Sequence, residues 1–323
     1  MHSIDDLQRL FEEELRKQHF NRQPQDLYEP FDYMLGLGGK RMRPLMLLMA
    51  CEVFGRDATE AIPQAISIEL FHNFSLIHDD IMDQAPLRRG KPTVHEKFNQ
   101  SIAILSGDAM LVHAYQFLIQ TKFSPVEKLV SIFNECAIRV CEGQQMDMNF
   151  ETSNDVSVDD YLKMIELKTA TLLATSKQLG AIIGGASEQD ANYLYEFGKE
   201  LGIAFQLKDD WLDAFGDGSK TGKQPGGDII QNKKTFLMLE AVNLADDATK
   251  NELMSYYSSE RNDSQKVKEV VKIFRHLRVD ETARQLSDNH YVGAISHLEK
   301  IGVDEELKRP LSALAILLME REH

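Results

Sequence analysis

The sequence predicts an all-α fold, a single-domain bundle of long helices around a central cavity. Three observations carry that prediction. Nearly every long segment repeats its apolar residues with helical period, none alternates over several residues as a half-buried strand does, and helix-ending signals punctuate the chain. With 323 residues, 43% hydrophobic and 27% charged, the chain has material for a large core and lacks the composition of a disordered polypeptide. The period places helices over about 4–19, 25–37, 43–55, 58–83, 94–120, 125–149, 157–184, 188–215, 232–257, 262–275, 279–299 and 305–321. Pro44 stands where a helix begins without losing a needed backbone donor, and Gly55 follows that helix as a carboxyl-terminal cap. The middle helices are long and strongly apolar, which suits a bundle with room inside. No Ser, Gly or Pro linker divides residues 1–323, so one domain is expected.

Charge narrows the partners. The 51 acidic and 36 basic side chains leave a formal charge of -15 and a pI near 5.1, which opposes a broad footprint on nucleic acid or anionic lipid. An anionic ligand must then find local cations. The start, Met1-His2-Ser3-Ile4-Asp5-Asp6, lacks the basic-then-apolar order of a secretory signal, and no apolar run approaches the ~18 residues of a transmembrane segment. Cys51, Cys136 and Cys141 are odd in number, lie in apolar helical patterns and lack metal-ligand spacing, which predicts buried thiols in a reducing, cytoplasmic compartment.

The most irregular stretch is residues 216–231, with five glycines and with Lys220 and Lys223 between two helices. A loop of this length in a compact domain is expected to work, here as a mobile lid that contacts an anion.

Two acidic clusters stand out. Asp79-Asp80-Ile81-Met82-Asp83 ends an apolar helix, and Asp209-Asp210-Trp211-Leu212-Asp213 repeats its spacing at the end of another. Asp79 and Asp83 fall one turn apart on one helix face, as do Asp209 and Asp213. Such carboxylates repel one another unless cations neutralise them, and their hard oxygens select Mg2+ or Mn2+ over softer metals. Mg2+ usually takes one or two carboxylates, keeps waters and shares a substrate phosphate. No Cys or His set has zinc spacing, and no Asp-rich loop has the calcium-hand pattern. A metal-bridged phosphate compound is the simplest remaining ligand.

Cations gather in the sequence beside these acids. Gly38-Gly39-Lys40-Arg41-Met42-Arg43-Pro44 and Leu87-Arg88-Arg89-Gly90-Lys91-Pro92 read as two polyanion seats, with Lys168, Lys220, Lys223, Lys233 and Lys234 as further candidates. Arginine forks match phosphate oxygens, and glycine lets backbone donors approach an anion. His72, seven residues before Asp79, shares nearly its helix face and reads as a phosphate contact, whereas His78 is turned away and reads as structural. Gln206 joins the second acidic face, and Gln144 and Gln145 precede Asp147 on another long helix.

At these residues the chain resembles the trans-isoprenyl diphosphate synthases, over about residues 30–240, through the paired Asp-rich motifs and Gly-Gly-Lys-x-x-Arg-Pro. The resemblance implies the isoprenoid synthase fold, usually as a homodimer. It also implies Mg2+-dependent, head-to-tail transfer of an allylic prenyl group to isopentenyl diphosphate, with three ions per site and Mn2+ as a possible substitute. By the same resemblance Asp79, Asp83 and Asp209 would be metal ligands, supported by Asp80, Asp210 and Asp213. Arg88, Lys168 and Lys223 would hold the allylic diphosphate; Gly39, Lys40, Arg43, His72 and Arg89 would hold isopentenyl diphosphate. Thr169 and Gln206 would lie near the reacting carbon, and Lys233 would serve the closing region. Released diphosphate, and not a side chain, would take the final proton.

Product length is expected from Phe74, five residues before Asp79, where a bulky ring would floor the pocket. In the resembling family an aromatic residue here accompanies C15 to C20 products. Ser75 departs from the double-aromatic pattern of many farnesyl synthases, and the first motif lacks the two-residue insertion of typical bacterial short-chain enzymes, so C20 is favoured over C15. Phe71 lies near enough to modify this. Two other functions fit parts of the pattern. A class I terpene cyclase shares one Asp-rich motif but needs no isopentenyl diphosphate seat, and a noncatalytic partner subunit would keep the scaffold without needing both acidic sets.

Overall fold

The computed structural model describes residues 2–18, 20, 22–153, 155–216, 226–258 and 264–320. Among them the all-α expectation holds, the one extended element being a two-residue antiparallel hairpin, β1 (Leu87–Arg88) and β2 (Lys91–Pro92). The chain folds as two compact units. One comprises Met1–Ala137, Leu172–Tyr195 and Lys300–Leu311; the other comprises Ile138–Thr171, Glu196–Glu299 and Ser312–His323.

In the first unit, α1 (Ile4–Arg16) starts at a reciprocal cap in which Ser3 Oγ accepts from the Asp6 N–H at 3.1 Å and Asp6 answers the Ser3 backbone. After α2 (Gln25–Gly36), α3 (Met42–Val53) begins at Arg41, with Pro44 inside its first turn, and Gly55 past its end takes φ +84° and donates to Glu52 O at 2.9 Å. Only a residue free of Cβ crowding adopts that conformation readily. The expected helix over 58–83 opens as a 3-10 turn (Ala58–Ala61), because Asp57 caps Thr59, and continues as α4 (Ile62–Met82). The expected helix over 94–120 is broken. A short α5 (Val94–Lys97) precedes Asn99, which is extended and accepts from the Ile102 N–H, restarting the chain as α6 (Gln100–Leu118). Buried apolar residues of α3 and α4, with Phe11, Phe31, Phe71 and Phe133, fill this core.

α7 (Val126–Thr152) carries two of the cysteines. Cys51 and Cys136 are buried, and burial pushes the Cys51 thiol up to about 12. Cys141 corrects the expectation because it is exposed. Five residues past Cys136, helical geometry turns it about 140° away from the buried face.

In the second unit, α8 (Val158–Ile165) runs into a π-helical turn (Glu166–Ala170), after which α9 (Thr171–Gly184) belongs to the first unit from Leu172 on, so the helix expected over 157–184 carries a bulge. α10 (Glu188–Phe215) follows the expected bounds. The expected helix over 232–257 is two, α12 (Phe236–Leu244) and α13 (Asp247–Tyr257), split where Asp246 caps the Thr249 N–H; a single turn, α11 (Gly227–Ile230), precedes them. α14 (Ser264–His276) and α15 (Val279–Glu299) follow, and α16 (Glu305–Met319) belongs to the first unit up to Leu311 and to the second from Ser312. Phe236, Leu237, Phe274 and Leu207 sit in the core of this unit.

Gly180 lets α9 touch α3, since a Cβ there would overlap the Leu47 carbonyl oxygen and press on Ala50. Backbone cannot yield as a side-chain tip can. Gly180→Ala is expected to destabilise the protein by about 1–3 kcal/mol through overpacking, read as a lower Tm, and an unchanged Tm would contradict this close contact.

Candidate active site

The first acidic set divides into outward and inward members. Asp79 is half-buried near the end of α4, and Asp83 is exposed and ends the helix, its N–H donating to Asp79 O at 2.8 Å. Asp80 points inward and is 1% exposed. It accepts a fork from Arg88, Nε to Oδ2 at 2.8 Å and Nη2 to Oδ1 at 2.7 Å, while Arg88 Nη2 also lies 3.8 Å from Asp79 Oδ2. Burial raises the Asp80 carboxyl above its usual range, and Arg88 opposes that rise. Burial would weaken the Arg88 cation, but Asp80, with Asp79 and Asp83 behind it, outweighs that loss.

The hairpin delivers these arginines. Arg89 at φ +53° and Gly90 at φ +73° make its tight turn, so Arg88 reaches Asp80 while the Arg89 guanidinium lies against Gly39. Gly39 itself has φ +139°, and a Cβ there would stand 2.9 Å from the Arg89 nitrogens. Lys40 is exposed beside it. Arg43 Nη1 and His72 Nε2 are 3.2 Å apart. Desolvation, then the Arg43 charge and those of Arg89, Arg88 and Arg41, drives the His72 ring well below its ordinary proton affinity. A neutral ring accepts from Arg43 at Nε2 and carries its single proton at Nδ1. Thus Gly39, Arg89, Arg43 and His72 form one cationic group. Arg41 leaves the group expected from the sequence, because its side chain is buried and pairs with Glu69.

The second acidic set repeats the division in its own unit. Asp209 and Asp213 are half-buried on α10, while Asp210 is 4% exposed. Asp210 accepts from the Tyr161 hydroxyl and from Gln206 Nε2, the latter at 3.0 Å. Burial first, and Asp228 next, push the Asp210 carboxyl well above the usual range. Asp213 Oδ2 accepts from the Asp228 N–H at 3.0 Å, and Gly226 N–H donates to Asp213 O at 2.7 Å. Lys233 Nζ lies 3.9 Å from Asp228 Oδ1. Lys234, a candidate cation in the sequence, instead donates to the Phe150, Glu151 and Ser153 carbonyls at the end of α7.

The π turn presents Lys168 and Thr169. Lys168 Nζ donates to Asp147 Oδ2 at 2.5 Å, and Thr169 Oγ1 lies 3.4 Å from Gln206 Oε1. Two glycines make room for the bulge: a Cβ at Gly143 would overlap the Lys168 backbone nitrogen, and one at Gly202 would come within 2.7 Å of Ala170 Cα. Such turns recur at functional sites. Gln144 Nε2 is buried without a hydrogen-bond partner, and Gln145 bonds Asn149 at 2.9 Å. Lys220, Lys223 and most of the expected lid lie outside the described residues; its end, from Gly227, is helical and tied to Asp213.

Phe74 is half-buried, its ring 5.6 Å from Phe71 and 4.8 Å from His78. Phe71 is buried against Phe133, and Ser75 Oγ donates to His72 O at 2.8 Å. His78 packs onto Gly107 with its Nε2 3.2 Å from Ile104 O, a structural place. Sequence reasoning missed Glu69, Tyr161 and Asp228. A lone acid within the apolar run of α4 was the available signal for Glu69; Tyr161 lies 49 positions from Asp210 and left none.

Among the described residues no three His, Cys, Asp or Glu side chains form a metal cage. The carboxylates come one or two at a time, a donor set that suits a hard divalent cation shared with a phosphate ligand. No helix among them is long and apolar enough to cross a membrane.

A family model described as polyprenyl synthetase matches residues 24–274. The chain is 35% identical over 313 residues to a short chain isoprenyl diphosphate synthase of Methanothermobacter thermautotrophicus, covering 97% of this chain and 95% of that protein. It is 36% identical over 323 residues to a geranylgeranyl pyrophosphate synthase of Geoglobus acetivorans, covering 99% and 98%. Its fold is similar to a crystal structure of a geranylgeranyl pyrophosphate synthase at a TM-score of 0.95 and 40% identity, covering all of both chains.

His72 should remain neutral at pH 6 in a nitrogen-resolved NMR titration, where an ordinary histidine of pKa 6.5 is mostly protonated. The unfolded chain takes up this proton and the folded site refuses it, so stability falls as pH drops below 6.5. A His72 midpoint at or above 6.5 would contradict the geometry.

Proposed function

We infer the reaction from membership: this chain belongs to the polyprenyl synthetase family. It is a short-chain trans-prenyltransferase, and the family carries a divalent-cation requirement and isopentenyl and allylic diphosphates as substrates. We propose that this chain uses Mg2+, three per site with Mn2+ as a substitute, and makes the C20 all-trans diphosphate. The names of its relatives support the product, and the hard carboxylate donors support the metal.

The observation that carries this reading is the repeated division of the acidic sets. In each, the middle aspartate is buried and anchored, by Arg88 or by Tyr161 and Gln206, while the first and last remain nearer solvent. Asp79, Asp83 and Asp209 are then the proposed ligands, with Asp80, Asp210 and Asp213 orienting them. When bound, the cations neutralise the departing allylic diphosphate. Arg88, Lys168, Lys223 and Lys233 bind that diphosphate, and Gly39, Lys40, Arg43, His72 and Arg89 bind the diphosphate of isopentenyl diphosphate. Thr169 and Gln206 border the reacting allylic carbon, where their dipoles favour developing positive charge. The double bond of isopentenyl diphosphate attacks that carbon, and loss of a proton to released diphosphate completes the condensation. No side-chain nucleophile is needed.

Residues 1–323 act in this reading as one domain, which the span of the family match supports. A homodimer is proposed on the exposed stripe of Leu105, Val112 and Ile119, spaced by seven along α6 and its end. Cytoplasmic residence is proposed on the three free cysteines.

The purified protein, given isopentenyl diphosphate with each of the C5, C10 and C15 primers, should release chiefly C20 product by chromatography. Cyclised hydrocarbon made without isopentenyl diphosphate, or no turnover at all, would refute the reading. Asp79→Ala or Asp209→Ala should each lower kcat by about a hundredfold or more with unchanged helical circular dichroism, and near-normal turnover would remove that residue from the metal set. Phe74→Ala should lengthen the product by opening the space its ring fills beside Phe71; an unaltered product distribution would acquit Phe74 as the floor.

A further inference from the structure

By type and position Arg41 and Arg43 are interchangeable readings of the same basic turn, yet the structure separates them. Arg43 lies with His72, whereas Arg41 is 8% exposed and turned into the protein. There its Nη1 pairs with Glu69 Oε1 and its Nη2 donates to Leu35 O at 2.6 Å. Arg41 also has φ +48°, a left-handed conformation that a residue with a Cβ holds only when its surroundings dictate it.

The surroundings are built for that purpose. Glu69 is 2% exposed on α4, three residues before His72. Asn73, fully buried one turn later, donates from Nδ2 to Glu69 Oε1 at 2.9 Å and to Glu69 O at 2.7 Å, which fixes the carboxylate. A buried carboxylate retained in this way costs desolvation, so it is a poor choice for stability alone and a good one for setting a conformation. Glu69 is also a negative charge felt by both Arg43 and Arg89.

We propose that Glu69, fixed by Asn73, is a positioning residue for the isopentenyl diphosphate seat: by drawing Arg41 inward it holds the left-handed turn that presents Lys40 and Arg43 to the diphosphate. Neither Glu69 nor Arg41 touches the ligand in this role. The inference rests on the reading that Lys40, Arg43, His72 and Arg89 bind isopentenyl diphosphate.

The double variant Arg41→Met with Glu69→Met tests it, because it removes the mount without leaving a buried charge unpaired. KM for isopentenyl diphosphate should rise about tenfold, as misplacement of binding groups predicts, with KM for the allylic substrate within about twofold of the parent. An unchanged KM for isopentenyl diphosphate, or equal rises in both constants, would overturn the proposal. If the double variant does not fold, Glu69→Gln is measured with the same readouts and judged by the same outcomes. Arg43→Ala separates the two levels. If it leaves KM for isopentenyl diphosphate unchanged, the seat itself is misassigned and the mount falls with it; if it raises that constant and the mount variant does not, the mount alone is wrong.

Discussion

Carboxylates crowded at the ends of apolar helices are the constraint on which this structure turns. A buried, unpaired carboxylate costs several kcal/mol, so each inward aspartate needs a partner of its own. The protein meets that need in two ways. Asp80 receives a guanidinium fork from Arg88, a charge that stays on at any accessible pH. Asp210 receives neutral donors from Tyr161 and Gln206, and its carboxyl is pushed well above the usual range. With these middle residues anchored, Asp79 and Asp83, like Asp209 and Asp213, remain nearer solvent.

Several departures from regular backbone lie beside the candidate site residues. Gly38, Gly39 and Arg41 have positive φ before α3, Arg89 and Gly90 have it in the hairpin, and Asn232 has it before Lys233. The π turn presents Lys168 and Thr169 between the glycines of α7 and α10. Each non-glycine in the left-handed region costs about 1–2 kcal/mol, and it persists only where contacts over-determine it. Here the contacts are specific: Glu69 and Leu35 on Arg41, and Lys266 on Asn232. Cationic side chains are therefore set by backbone turns held from beneath, which suits a family whose substrates are diphosphates.

Aromatic side chains occupy the turns of α4 that precede the first acidic set. Phe74 does not stand alone, because its ring rests on Phe71 and His78, and Phe71 rests on Phe133. Rings in tilted and edge-to-face contact resist displacement better than one free side chain, since moving any ring opens a gap beside another. Ser75 spends its hydroxyl on the His72 carbonyl, within the same helix that carries the acidic set.

The sequence by itself determined the helical class, most helix bounds, both acidic sets and the two basic turns, because helical period and clustered charge are local properties of a chain. It also carried the family resemblance, which the comparisons bear out. Only the tertiary structure decided what each charge does. Arg41 and Arg43 differ by two positions and point to different partners; Lys233 and Lys234 are neighbours, yet Lys234 caps a helix more than 80 residues earlier. Cys141 is exposed where composition suggested burial, and Asn99 and Asp246 end helices that periodicity would have continued. These outcomes rest on contacts between residues far apart in sequence, and a charge cannot disclose its distant partner until the chain has folded.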